Sequence, residues 1–222
     1  MAFPLTHLIV ANNMTKTHSI GSQADFFLGS VAPDAVHFRK SFIDASMSEI
    51  GQAKKTSHLC PESPEKWGSV TDNDGWLICV RNFLRGQELT SFRLGFATHV
   101  LTDIYNNKTM WSNFRTNYPL EAKKGYESAY YDDLKYIDAL LKDDREVAEF
   151  ICGKLAQAKA VGIDGLVSAD EVEAIKQSLI SEYGKISQTS NFDKKYATKF
   201  VSYDEMLIFI KEAALFTSAI VF

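Results

Sequence analysis

All five prolines of this chain, Pro4, Pro33, Pro61, Pro64 and Pro119, stand at or before position 119 of 222. Proline removes a backbone donor and clashes with the preceding helical turn, so the second half is free to run as long unbroken helices. Leu5, Leu8, Ile9 and Ala11 mark a first helix, and a short second one is expected from Ala24 to Ser30 before Ala32-Pro33-Asp34 interrupts it. Asp72 or Asp74 caps a helix through Trp76, Leu77, Val80 and Phe83 that Gly86 ends. Thr90 or Ser91 opens the next, from Phe92 to Asn106, and further helices are expected over 126–141, 145–160, 168–183 and 202–219. Ser168-x-x-Glu171 and Ser202-x-x-Glu205 are capping boxes, in which each side chain satisfies a free backbone donor of the other residue. No strand-like alternation of comparable length and no internal repeat occurs. The expectation is an all-α, compact multi-helix bundle, with an apolar fraction of 45% sufficient to fill one core, so that residues 1–222 form a single domain. The polar stretch from Asp44 to Thr71, with Pro61, Pro64 and Gly68, has weak periodicity and reads as the longest loop.

The formal charge of −4 and the scattered basic pairs Arg39-Lys40, Lys54-Lys55, Lys123-Lys124 and Lys194-Lys195 give no stripe that calls for a nucleic-acid partner. The opening Met1-Ala2-Phe3-Pro4-Leu5 lacks the basic region of a signal peptide. The apolar run from Met206 to Phe222 is short of a span and carries Lys211 and Glu212, so it reads as a packed core helix rather than a transmembrane segment. Cys60, Cys79 and Cys152 are widely spaced without a CxxC pair, which suits a reducing compartment, the cytoplasm being the simplest.

His99 and Asp103 are four residues apart, one helical turn on the same face, a spacing that suits two ligands of one metal. Phe92 and Phe96 put that face on or beside the apolar stripe a bundle turns inward. A buried carboxylate costs several kcal/mol unless paired or bound to a cation, and no Lys or Arg lies within a turn on that face. The bland reading is a plain hydrogen bond between the two. Equally bland readings make His58 a solvated loop histidine, His7 a satisfied core histidine beside Val10 and Met14, and Asp34 a cap after Pro33.

The segments Leu5-Thr6-His7, Phe27-Leu28-Gly29-Ser30-Val31-Ala32-Pro33-Asp34-Ala35, Ser57-His58-Leu59 and Gly95-Phe96-Ala97-Thr98-His99-Val100-Leu101-Thr102-Asp103 resemble, in order, those of the zinc-dependent phospholipase C family, which is all-helical. The resemblance begins at Leu5 and fades near Phe114. It implies that Asp34, His58, His99 and Asp103 surround one zinc, that Asp103 bridges to a second ion held also by His7, and that Asp34 touches the attacking water. Imidazole nitrogen and carboxylate oxygen both suit zinc, and such a centre brings bound water to a pKa of about 7 for in-line attack on phosphorus.

The chain departs from the three-zinc members of that family. Thr109 stands where a further histidine is found, and no histidine follows His99, so a third site is either absent or rebuilt from Glu127, Asp132 or Asp133. Two zinc ions are expected, and a terminal amine is not assumed among their ligands. Asn106, Asn107 and Trp111 either support the ligands or touch substrate, or the asparagines simply fray the helix end; His18 and His37 have no assigned role. Asp72-Asn73-Asp74-Gly75 lacks the later acidic ligand of a calcium loop and reads as a helix cap. The implied activity is a phosphoric diester hydrolase acting on a phospholipid or a smaller soluble diester, a single-strand nuclease being disfavoured by the missing third site. The alternative is a non-catalytic helical module, or degenerate relative, with a structural zinc.

Overall fold

Pro4 has no amide to lose in a first helical turn, and the chain from Pro4 to Thr15 winds into α1. The structure, a computed structural model, describes residues 3–43, 45–62, 70–86, 88–184 and 196–222. Pro64, Gly68, the Lys194-Lys195 pair and the opening Met1-Ala2 therefore lie outside the described residues. Helix α2, Gln23–Gly29, starts at Ser22, whose hydroxyl accepts from the Asp25 amide. A 3₁₀ turn over Ala32–Phe38 follows, then α3, Met47–Ser57, α4, Asn73–Arg85, and α5, Ser91–Lys108. The remainder comprises α6, Met110–Asn117, α7, Pro119–Ala122, α8, Ala129–Lys142, α9, Arg145–Gln157, α10, Ala169–Tyr183, and α11, Tyr203–Val221. No strand occurs among the described residues, and the fold is all-α.

Both expected capping boxes form, at Ser168–Glu171 and Ser202–Glu205, and Asp72 caps α4 by accepting from the Gly75 amide at 2.8 Å. The loop expected from Asp44 to Thr71 is a correction: residues 47–57 are helical, opened by a third capping box at Ser46–Glu49. The shortfall of apolar residues there reflects a helix that buries only its C-terminal end. Helix α5 also runs on to Lys108, so Asn106 and Asn107 do not fray; both are buried, and the Asn107 amide donates to Val70 O and Asn73 Oδ1.

Helix α5 is the axis of the molecule, packed against α1, α2, α4, α6 and α11. Its closest neighbour is α2, and the reason is a pair of glycines. A Cβ on Gly29 would run into the Phe92 carbonyl, and one on Gly95 into the Phe26 carbonyl. Without side chains there the two backbones touch, which brings the end of α2 beside His99. Helix α11 covers another side through buried Met206, Phe209, Ile210 and Ala213, with Tyr105 of α5 donating to Glu212 at 2.8 Å. It is a packed core helix as expected, and no helix among the described residues is long and apolar enough to cross a membrane.

Candidate metal centre

A histidine and an aspartate one turn apart on a helix surrounded by other helices have no water to turn to. His99 is fully buried and Asp103 nearly so. The 3₁₀ turn brings Asp34, the end of α3 brings His58, and α1 brings His7 to the same point. The five residues expected as ligands thus converge, from separate elements, on one interior volume. His58 is not a loop histidine in solvent: it is the C-cap of α3 and fully buried.

The local backbone explains the placement of His58. The amides of Leu59 and Cys60 return to Thr56 O and Lys55 O at 3.1 and 3.0 Å, closing a Schellman motif with Leu59 at φ 54°. A leucine in the left-handed region costs on the order of 1 kcal/mol. Trp76 Nε1 donates to the His58 carbonyl at 2.7 Å and helps to hold the turn.

The tautomers follow from the partners. His99 Nδ1 lies 2.8 Å from the Ser30 carbonyl, and His58 Nδ1 lies 2.9 Å from both the Lys54 carbonyl and the Ser57 hydroxyl. A carbonyl only accepts, so His99 Nδ1 carries the proton and donates, and the same tautomer of His58 satisfies the Lys54 carbonyl. In the neutral rings this leaves both Nε2 atoms as lone pairs, and they face each other at 3.2 Å. Two lone pairs at that distance repel unless a proton or a metal ion stands between them. Anchoring one imidazole nitrogen on a carbonyl so that the other can coordinate is the usual way a metal-binding histidine is oriented.

The carboxylates complete the set. His58 Nε2 is 3.4 Å from Asp34 Oδ1 and 3.7 Å from Asp103 Oδ2, while His99 Nε2 is 3.9 Å from Asp34 Oδ2 and 3.8 Å from Asp103 Oδ2. Tetrahedral zinc with bonds of about 2.0–2.1 Å separates neighbouring donors by about 3.4 Å, close to these spacings. Asp103 Oδ1 turns the other way, to His7 Nε2 at 3.6 Å. The two oxygens of Asp103 therefore face two ligand groups, Asp34, His58 and His99 on one side and His7 on the other. The His7 ring stacks on His99 at 3.7 Å, and neither of its nitrogens makes a hydrogen bond among the described residues. It is not the satisfied core histidine that its apolar helix face suggests.

Burial pushes the Asp34 carboxyl up, but the Lys54 ammonium and the neighbouring imidazoles of His58 and His99 hold it well below the usual carboxylate range. Burial, reinforced by His7, lowers His99 to about 3 against the pull of Asp34 and Asp103. Asp34 and Asp103 are thus held ionised, and His7 and His99 unprotonated, at neutral pH, the forms a metal needs.

A third site rebuilt from Glu127, Asp132 or Asp133 is not found. Asp133 is fully buried but spends its oxygens on the amides of Lys199, Phe200 and Val201 and on Tyr196 Oη. Asp132 pairs with Lys135 on the surface, and Glu127 is exposed. His18 stacks on Phe222 away from the centre. His37 lies 3.8 Å from Asp34 and half-exposed at the mouth of a cavity of about 700 Å³. That cavity is lined by Asp34 and Lys54 together with Phe3, Trp111, Tyr126 and Tyr131.

Lys54 was not foreseen as part of this region. Its Nζ lies 3.7 Å from Asp34 Oδ1 and 3.1 Å from His37 Nε2. The i, i+4 spacing to His58 is the signal that points to it once 47–57 is known to be helical. Comparison of the chain with protein-family models, curated proteins and solved structures finds no match in any of the three.

Proposed function

We propose that this chain is a zinc-dependent phosphoric diester hydrolase holding two ions at the His7, Asp34, His58, His99 and Asp103 cluster. The observation that carries this is the pair of Nε2 atoms 3.2 Å apart between two carboxylates, four donors that one shared cation would stabilise together. Nitrogen and oxygen donors without sulfur, at these separations, suit zinc. The order of the ligand segments along the chain, which resembles the zinc-dependent phospholipase C family, supports the same choice.

Zinc, when bound, supplies Lewis acidity toward phosphoryl oxygens and a water acidic enough to react at neutral pH. Asp34 borders both the cluster and the cavity, so it is the group that orients the attacking water and accepts its proton. The cavity walls of Phe3, Trp111, Tyr126 and Tyr131 receive an apolar or aromatic arm of the diester and exclude bulk water from the phosphorus. A phospholipid or a smaller soluble diester with such an arm fits; a nucleic acid is disfavoured by the acidic balance of the chain. The free thiols of Cys60, Cys79 and Cys152 suit the cytoplasm.

The reading as a non-catalytic module with structural zinc draws on one observation, that no third group of donors joins the cluster among the described residues. Turnover of an activated aryl phosphodiester separates the two. The hydrolase gives chelator-sensitive turnover that zinc restores and that Asp34→Asn lowers by about 100-fold or more. Zinc-loaded, folded protein with no turnover on any diester leaves the module.

A further inference from the structure

Lys54 precedes His58 by one turn of α3, so the helix that delivers an imidazole to the cluster also delivers an ammonium. The side chain is 15% exposed and ends between Asp34 and His37 at the cavity wall. It is the lysine or arginine that lines the cavity among the described residues. A fixed cation beside a metal centre repels the ions that centre is meant to hold. One of its partners, Asp34, is also an expected ligand, and a carboxylate that gives its charge to a metal ion gives less of it to the ammonium. An anion between Lys54 and the cluster would be attracted by both and would offset their mutual repulsion. The cavity opens at that point, and no histidine follows His99 to extend the metal set. A lysine ammonium is a compact point charge with three rotatable donors, suited to a phosphate oxygen whose exact direction varies.

We propose that Lys54 is a substrate-binding residue that holds a non-bridging oxygen of the phosphate against the metal centre. The inference rests on the zinc reading above. It predicts opposite changes in two affinities of one variant, because the same charge attracts the anion and repels the ions.

The test uses the full chain and two probes, zinc alone by competition with a chromophoric chelator and inorganic phosphate by calorimetry on the zinc-loaded protein. Lys54→Met keeps the stem and removes the charge. It is expected to weaken phosphate by about tenfold or more, the loss of one charged hydrogen bond. Zinc is expected to bind as tightly or about threefold tighter. Lys54→Arg, which preserves the charge, restores phosphate affinity to within about threefold of the parent. Equal phosphate affinity in parent and Lys54→Met, with zinc bound in both, overturns the assignment and leaves the metal centre standing. Loss of zinc and phosphate together in both variants makes Lys54 a structural support of Asp34 and overturns it too. A parent protein that binds no zinc overturns the centre itself and this inference with it.

Discussion

At the residue scale the centre is a set of orientations. His58 and His99 are each pinned through Nδ1 on a backbone carbonyl, and Asp103 divides its oxygens between two groups. Removing one donor leaves the rest aimed at an incomplete shell. His99→Ala is expected to lower zinc affinity by more than about 100-fold while the protein remains folded, read by chelator competition and circular dichroism. A second titratable residue offers a pH test away from the ligands. Burial and the nearby Glu182 raise Asp138 of α8 to about 7, where it meets Tyr183 Oη and the Leu5 amide of α1, two residues before His7. Because the folded value lies above the ordinary 3.8, the native state binds a proton that the unfolded chain has lost between those values. That contribution is complete below 3.8 and fades as pH rises through about 7. Asp138→Asn, which keeps the neutral form, is expected to raise stability by about 1 kcal/mol at pH 8 and to change little at pH 4, measured by denaturant titration at both. The His-x-x-x-Asp spacing was legible from the chain because helical geometry alone puts those residues together. The burial of His58 and the position of Lys54 were not, since both depend on a helix whose sequence is largely polar.

At the element scale two features decide whether the ligands meet. The first is the contact of α2 with α5 across Gly29 and Gly95, which sets Ser30 O on His99 Nδ1. Gly95→Ala forces the helices apart and is expected to cost about 1–3 kcal/mol and to weaken zinc together with stability, read by thermal unfolding with and without metal. The second is the Asp133 carboxylate, which gathers three amides ahead of α11. Asp133→Ala strands those donors and is expected to destabilise by about 3 kcal/mol or more while zinc content stays unchanged, which a third-site ligand would not allow. Helices α4, α5, α8, α9, α10 and α11, whose apolar residues recur along their length and most of which open on a capping side chain, were readable within a few residues. Helix α3 escaped because its residues are largely polar, although Ser46-x-x-Glu49 carries the same capping signature as the two boxes that were recognised. Helices α6 and α7 also went unread, since Thr109 and Pro119 break the pattern into pieces too short for periodicity to show.

At the scale of the whole molecule, α5 is enclosed by helices that each bring one function to it: α1 and α3 bring ligands, α2 a carbonyl anchor, and α11 closes the far side. The apolar character of α11 is split, with Leu207, Ile208 and Leu215 on its exposed face. Among the polar residues buried inside this frame are the His and Asp side chains of the cluster, and on the zinc reading proposed above their burial is offset by cations that neutralise and coordinate them. The most direct test is metal stoichiometry of the purified, exhaustively dialysed chain after loading with zinc, by elemental analysis. Two zinc ions per chain are predicted in the parent, one in His7→Ala and none in His99→Ala. A folded parent chain that holds less than one ion, or a His99→Ala variant that keeps the parent's content, would contradict the account.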